Sequence, residues 1–262
     1  IFFRVNYCFG VRSMALRIHA LQHSPVAHLG TMENWAVERG YKVDSSHLWV
    51  PDCAWPDVDI FDWLVVLGGP VSMDPSTCAW VVEERALIAS AIEAKKVVIG
   101  ISSGAQLVAS TLGGRVKKAP YEEIGFFPID FTKEARNVFP FLPNQLTAMH
   151  GHVDTFDVPL GAVSLATSAA CPHQAFLARN RILCLQFHLE WDEDHSHEAL
   201  EALADTITRG PYVQSVSTIL KAKEIYCPEM KQVLFQLLDA MVEQCKVPCP
   251  EDIEEEEEEK DE

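Results

Sequence analysis

From about residue 14 the chain alternates short apolar, β-branched runs with longer stretches whose apolar residues recur at helical spacing. Runs at 16–23, 42–50, 61–70 and 97–101 read as strands. Between them, the segment from Thr31 carries a helix ending near Gly40, a residue suited to the position after a helix C-terminus. Residues 78–96 form an amphipathic helix with lysines at its C-terminal end, where they favour the macrodipole, and a further helix runs from about Gly104 to Leu112. Strands separated by helices imply right-handed crossovers. The prediction is a three-layer α/β fold: a mostly parallel central sheet with helices on both faces.

Further along, strand-like runs crowd together at 123–131, 145–152, 162–168, 174–179 and 182–188. The last part reads as helices at 193–209, 212–224 and 229–245. In the third of these, Met230, Val233, Leu234, Leu237, Leu238, Met241 and Val242 form a packing stripe. With no internal repeat, one domain over 14–245 is the economical reading, with residues 1–13 as an N-terminal extension.

Charge adds a tail to this picture. Of the formal charge of −17, residues 251–262 hold ten acids and one lysine, so −9 of it falls there. A run with so little apolar surface does not bury enough to fold, so 246–262 is expected to be a disordered acidic tail. Lysines and arginines are scattered and outnumbered, which excludes a nucleic-acid surface. No apolar run is long enough for a membrane span. The eight cysteines show no C-x-x-C pair, which points to free thiols and a cytoplasmic location.

The candidate chemistry begins at Gly100-Ile101-Ser102-Ser103-Gly104, a strand–turn–helix of the G-x-S-x-G type that lifts Ser102 out of the backbone. Gly68 and Gly69 close another strand, where an unobstructed Gly69 N–H and the Ser103 N–H can form an oxyanion hole. His188 and Glu190 stand just past a buried strand, a base with a carboxylate two residues on that can orient it. His150 with His152 and His195 with His197 offer metal-ligand pairs. No third ligand falls at metal-site spacing, so no metal is expected.

Three of these segments together resemble the class I (triad-type) glutamine amidotransferase family, most closely its stand-alone GMP-synthase-like members. Gly68-Gly69-Pro70-Val71-Ser72 matches the family's glycine turn. Gly100-Ile101-Ser102-Ser103-Gly104-Ala105-Gln106 matches its elbow, and Gln186-Phe187-His188-Leu189-Glu190 its closing motif. The resemblance implies a flavodoxin-like sheet and hydrolysis of the γ-carboxamide of glutamine, or of a γ-glutamyl amide, without a cofactor. His188 is then the general base, Glu190 its orienter, Gly69 and Ser103 the oxyanion donors, and Gln106 and Gly68 the substrate pocket. Asp154 and Glu123 either face the substrate's amino group or are solvated loop acids. Any amination needs a separate acceptor or synthetase protein, since no such domain is recognisable after residue 190.

The departure is Ser102, where the family has cysteine. A thiol is readily made a thiolate beside an imidazole and a helix N-terminus, whereas a hydroxyl must lose its proton during attack. Three readings therefore stand: an amidotransferase-type hydrolase weakened by Ser102, a non-catalytic binding module on the same fold, or a Ser-His-Glu γ-glutamyl peptidase.

Overall fold

The computed structural model describes residues 15–69, 80–192, 200 and 209–245. The expected extension at 1–13, the acidic tail at 246–262 and most of the helix expected at 193–209 lie outside them. Nine strands form one sheet: β1 (Arg17–Gln22), β2 (Lys42–His47), β3 (Trp63–Val66), β4 (Val97–Ile101), β5 (Val116–Phe131), β6 (Gln145–Phe156), β7 (Val163–Ser168), β8 (Ala175–Ala178) and β9 (Ile182–Leu185). The helices are α1 (Thr31–Glu38), α2 (Trp80–Glu93), α3 (Ser103–Thr111), α4 (Lys133–Val138) and α5 (Val216–Gln244).

Strand order is β2-β1-β3-β4-β9-β8-β7-β5-β6. The first five strands are mutually parallel, and β9 onward is antiparallel. The α/β architecture is as expected, with an antiparallel half as large as the parallel one. Alternation along the parallel strands explains the layers. Trp63, Val65, Val97, Ile99 and Ile101 face a core shared with α1 and α5, while Leu64, Val66 and Val98 face one shared with α2 and α3. Strands buried on both faces read as unbroken apolar runs, as these do.

The largest differences from expectation fall in three elements. β5 begins at Val116 rather than at 123, because its polar first half pairs with the end of β6 across an irregularity between Lys118 and Glu123. α4 is too short to show a period; Thr132 caps it by accepting a hydrogen bond from the Ala135 N–H. The helices expected at 212–224 and 229–245 are one helix that runs through Pro228. Proline costs a helix interior about 3 kcal/mol. Ile219, Ala222 and Cys227 before it and Met230, Val233, Leu234, Leu237, Leu238 and Met241 after it all enter one core. At about 1.5–3 kcal/mol for each large buried side chain, that stripe outweighs the proline.

Asp239 on α5 accepts hydrogen bonds from Trp35 Nε1 at 2.9 Å and from Arg39 Nε and an Arg39 terminal nitrogen at 2.7 Å each, which docks α5 on α1. Arg39 holds the Asp239 carboxyl below its ordinary range. The pair is partly exposed, so screening limits its worth. Asp239→Ala should lower unfolding free energy by about 1 kcal/mol. Urea melts followed by tryptophan fluorescence would check this, an unchanged midpoint refuting it.

Candidate active site

The carboxyl ends of β3, β4 and β9 meet at one edge of the sheet, where open α/β folds place their ligand crevice. β4 passes into α3 in a single residue. Ser102 has φ 54° and ψ −117°, a strained conformation for a side chain other than glycine's, and costs about 1–3 kcal/mol. The strain persists because both flanks are locked: the Ser102 N–H donates to the Leu185 carbonyl at 2.8 Å, and the Gln106 N–H donates to the Ser102 carbonyl at 3.2 Å. Two glycines make the turn sterically possible. A Cβ on Gly104 would overlap the Val66 carbonyl oxygen, and one on Gly100 would sit 2.8 Å from Ala105 Cα.

The site residues converge on Gly68. A Cβ placed there would lie 3.0 Å from Ser102 Cβ, 3.5 Å from Ser102 Oγ and 3.4 Å from His188 Cε1. His188 Nδ1 donates to Glu190 Oε1 at 2.5 Å, which fixes the tautomer with the Nε2 lone pair available. The segment bearing both is tied down twice. The His188 N–H donates to the Met149 carbonyl on β6, and the Thr31 N–H at the start of α1 donates to the Glu190 carbonyl, each at 2.8 Å. Gly30, at φ 52°, is needed there because any Cβ would strike the Glu190 carbonyl.

The glycine turn is braced from behind by residues that sequence reasoning missed. His23 follows β1; its Nδ1 donates to the Gly68 carbonyl at 3.3 Å and its Nε2 lies 2.8 Å from Glu84 Oε1. Carbonyl and N–H of a trans peptide point oppositely, so this contact turns the Gly69 N–H away from His23. Ser103 Oγ adds a bond to the Gly69 carbonyl at 3.0 Å. The available signal was Glu84, an acid at i+3 from Val81 and i−4 from Ile88 on the buried face of α2.

Gly68, Gly69, Ser102, Ser103, His188 and Glu190 are thus brought together, with Gln106 one turn along α3. Gln106 Nε2 donates at 3.2 Å to both the Asp154 carbonyl and Gln186 Oε1, so it braces α3 against β6. The two acids expected either at the substrate or in solvent are placed differently. Asp154 points its carboxylate at Lys118, 3.0 Å away. Glu123 is fully buried, so the reading of it as a loop acid is corrected: it sits on β5 opposite His152. Its Oε2 lies 3.2 Å from His152 Nε2 and 3.5 Å from His150 Nδ1, and accepts from Ser168 Oγ at 3.1 Å and Gln174 Nε2 at 2.6 Å. The third metal-ligand type that sequence spacing did not supply is therefore Glu123. Burial pushes its carboxyl up, and the His152 hydrogen bond, both imidazoles and Ser168 more than offset this, leaving it below its ordinary value. His150 is lowered to about 3, first by burial. His195 and His197 lie outside the described residues.

A strained serine at a strand-to-helix elbow, a glycine turn and an oriented histidine define an α/β protein of the nucleophile-elbow type. Comparison with known proteins narrows this. The model of the glutamine amidotransferase class-I family matches residues 32–204, and the chain belongs to that family. It is 29% identical over 235 residues to the glutamine amidotransferase-like protein YfeJ of Salmonella typhimurium, covering 86% of this chain and 97% of that one. The glutamine-hydrolysing GMP synthase subunit of Picrophilus torridus is 31% identical over 166 residues, 61% of this chain and 83% of its own. The crystal structure of a glutamine amidotransferase from Thermotoga maritima superposes with a TM-score of 0.79 at 26% identity, covering 88% of this chain and 99% of that one.

Gly104→Ala should be among the most damaging small substitutions, because the added methyl meets backbone at Val66 rather than a side chain that can move. A loss of about 3 kcal/mol or more is expected, read as a fallen urea midpoint or insoluble protein. Gly40→Ala, whose Cβ meets nothing within 4 Å, is the control for a positive-φ glycine without a clash.

Proposed function

We propose that the cleft at the carboxyl ends of β3, β4 and β9 binds glutamine or a γ-glutamyl amide and hydrolyses its carboxamide, with Ser102 as a slow nucleophile. The observation that carries this reading is the strained Ser102 conformation beside Gly68 and the His188–Glu190 pair. In the step envisaged, Ser102 Oγ attacks the γ-carbonyl carbon while His188 Nε2 takes the hydroxyl proton. The tetrahedral oxyanion is met by the N–H groups of Gly69 and Ser103, the latter one of the unpaired donors at a helix N-terminus. The imidazolium then protonates the leaving nitrogen, ammonia departs, and water hydrolyses the γ-glutamyl ester to glutamate.

The family pattern carries cysteine where this chain carries Ser102. An imidazole and a helix N-terminus can hold a thiolate ready for attack. For an alkoxide their stabilisation is insufficient, so the proton must move as the bond forms and the rate rests on Ser–His alignment. We therefore expect an organised site with low turnover. The likeness to a GMP synthase subunit supports a division of labour, in which ammonia released here is used by a separate acceptor-activating protein.

Ammonia and glutamate release from glutamine should rise by about 10²-fold or more in Ser102→Cys and fall to background when His188→Ala is added. Serine-form activity on γ-glutamyl peptides that equals the cysteine form's and is lost with His188→Ala would make the protein a Ser-His-Glu peptidase instead. Glutamine binding by calorimetry with no turnover in either form would leave a binding module.

A further inference from the structure

We propose that Glu123, His150 and His152 form a buried site for a single first-row divalent metal ion, zinc being the best fit. The antiparallel register sets Glu123 directly opposite His152 and Gly125 opposite His150, and residues 150 and 152 share a face by the period of two. One carboxylate and two imidazoles are thereby held on the same side of two adjacent strands, with their donor atoms all within 4.8 Å of one another.

Two of the three donor separations fit a tetrahedral ion. Metal–ligand bonds of about 2.0–2.1 Å at the tetrahedral angle place neighbouring donor atoms about 3.3 Å apart. The two Glu123–imidazole separations are 3.2 and 3.5 Å.

The hydrogen-bond pattern points the same way. His152 Nδ1 faces the Asp154 carbonyl at 3.1 Å, which can only accept, so this nitrogen carries a proton. The other ring nitrogen, Nε2, is thereby turned toward the Glu123 carboxylate at 3.2 Å. His150 is fully buried beside the same carboxylate, its Nδ1 3.5 Å from Glu123 Oε2. Glu123 Oε1 and Gln174 Oε1 are buried without a hydrogen-bond partner, and such orphaned polar atoms are costly. A metal satisfies His150 and Glu123, and Gln174 Oε1 or a water completes four ligands. Ser168 Oγ and Gln174 Nε2 already hold the Glu123 carboxylate in place, as outer partners of metal ligands do.

The ion would rivet β5 to β6 one residue from Met149, whose carbonyl holds the His188 N–H. It lies beside the glutamine cleft and does not depend on how Ser102 behaves.

The test uses the full chain expressed with zinc, washed with EDTA and measured for metal content, and the same chain loaded with cobalt(II) for its visible spectrum. The expected result is close to one zinc per chain and a tetrahedral cobalt spectrum without a thiolate-to-metal band. Binding should be lost in His150→Gln and in His152→Gln, weakened about tenfold in Ser168→Ala, which keeps all three ligands, and unchanged in Cys171→Ser. Less than a tenth of an equivalent in the wild type, a thiolate band, or binding retained in the folded histidine variants would overturn the proposal. It would leave His152 and Glu123 as a proton-bridged ion pair. Should the histidine variants not fold, the wild-type metal content and cobalt spectrum decide by themselves.

Discussion

The structure hangs on one close approach, the seating of the α3 N-terminus against the ends of β3 and β4. Gly104 lies so near the Val66 carbonyl, and Gly100 so near Ala105, that neither position has room for a β-carbon. This contact lets β4 turn into α3 within one residue and forces Ser102 into its strained conformation. It also aims the unpaired N–H groups of the helix at the serine. Strain of this kind survives only where packing over-determines it, and here the flanking sheet and helix are almost entirely buried.

Around that contact the other groups are held by backbone anchors more than by their own side chains. The histidine segment is fastened to β6 at Met149 and to α1 at Thr31. The glycine turn is fastened to His23, which is fastened to Glu84 on α2. Elements from both faces of the sheet therefore position one cleft. The antiparallel half of the sheet contributes little to that cleft directly, but it supplies the strand on which the histidine segment rests.

Two kinds of polar burial sit side by side. In the cleft, Ser102 and the hydrogen-bonded His188–Glu190 pair are drawn together beside the glycine turn. Beside it, Glu123, His150, His152 and Gln174 are packed out of solvent with polar atoms left over. The two are joined through the backbone, since His150 follows Met149, whose carbonyl accepts from the His188 N–H.

What the sequence by itself determined is local. Apolar runs bounded by glycines marked β3 and β4, and G-x-S-x-G marked the turn, because a tight strand–helix junction demands small residues at fixed spacing. His188 and Glu190 were legible for the same reason, being two residues apart on one strand end. The tertiary structure alone decided what depends on distant segments meeting. Pro228 lies inside one helix because a continuous core stripe holds both halves. Gly30 matters because Glu190 packs against it. Glu123 joins His150 and His152 because β5 pairs with β6 in one register, and nothing in the spacing of residues 123, 150 and 152 records a hydrogen-bonded ladder between two strands.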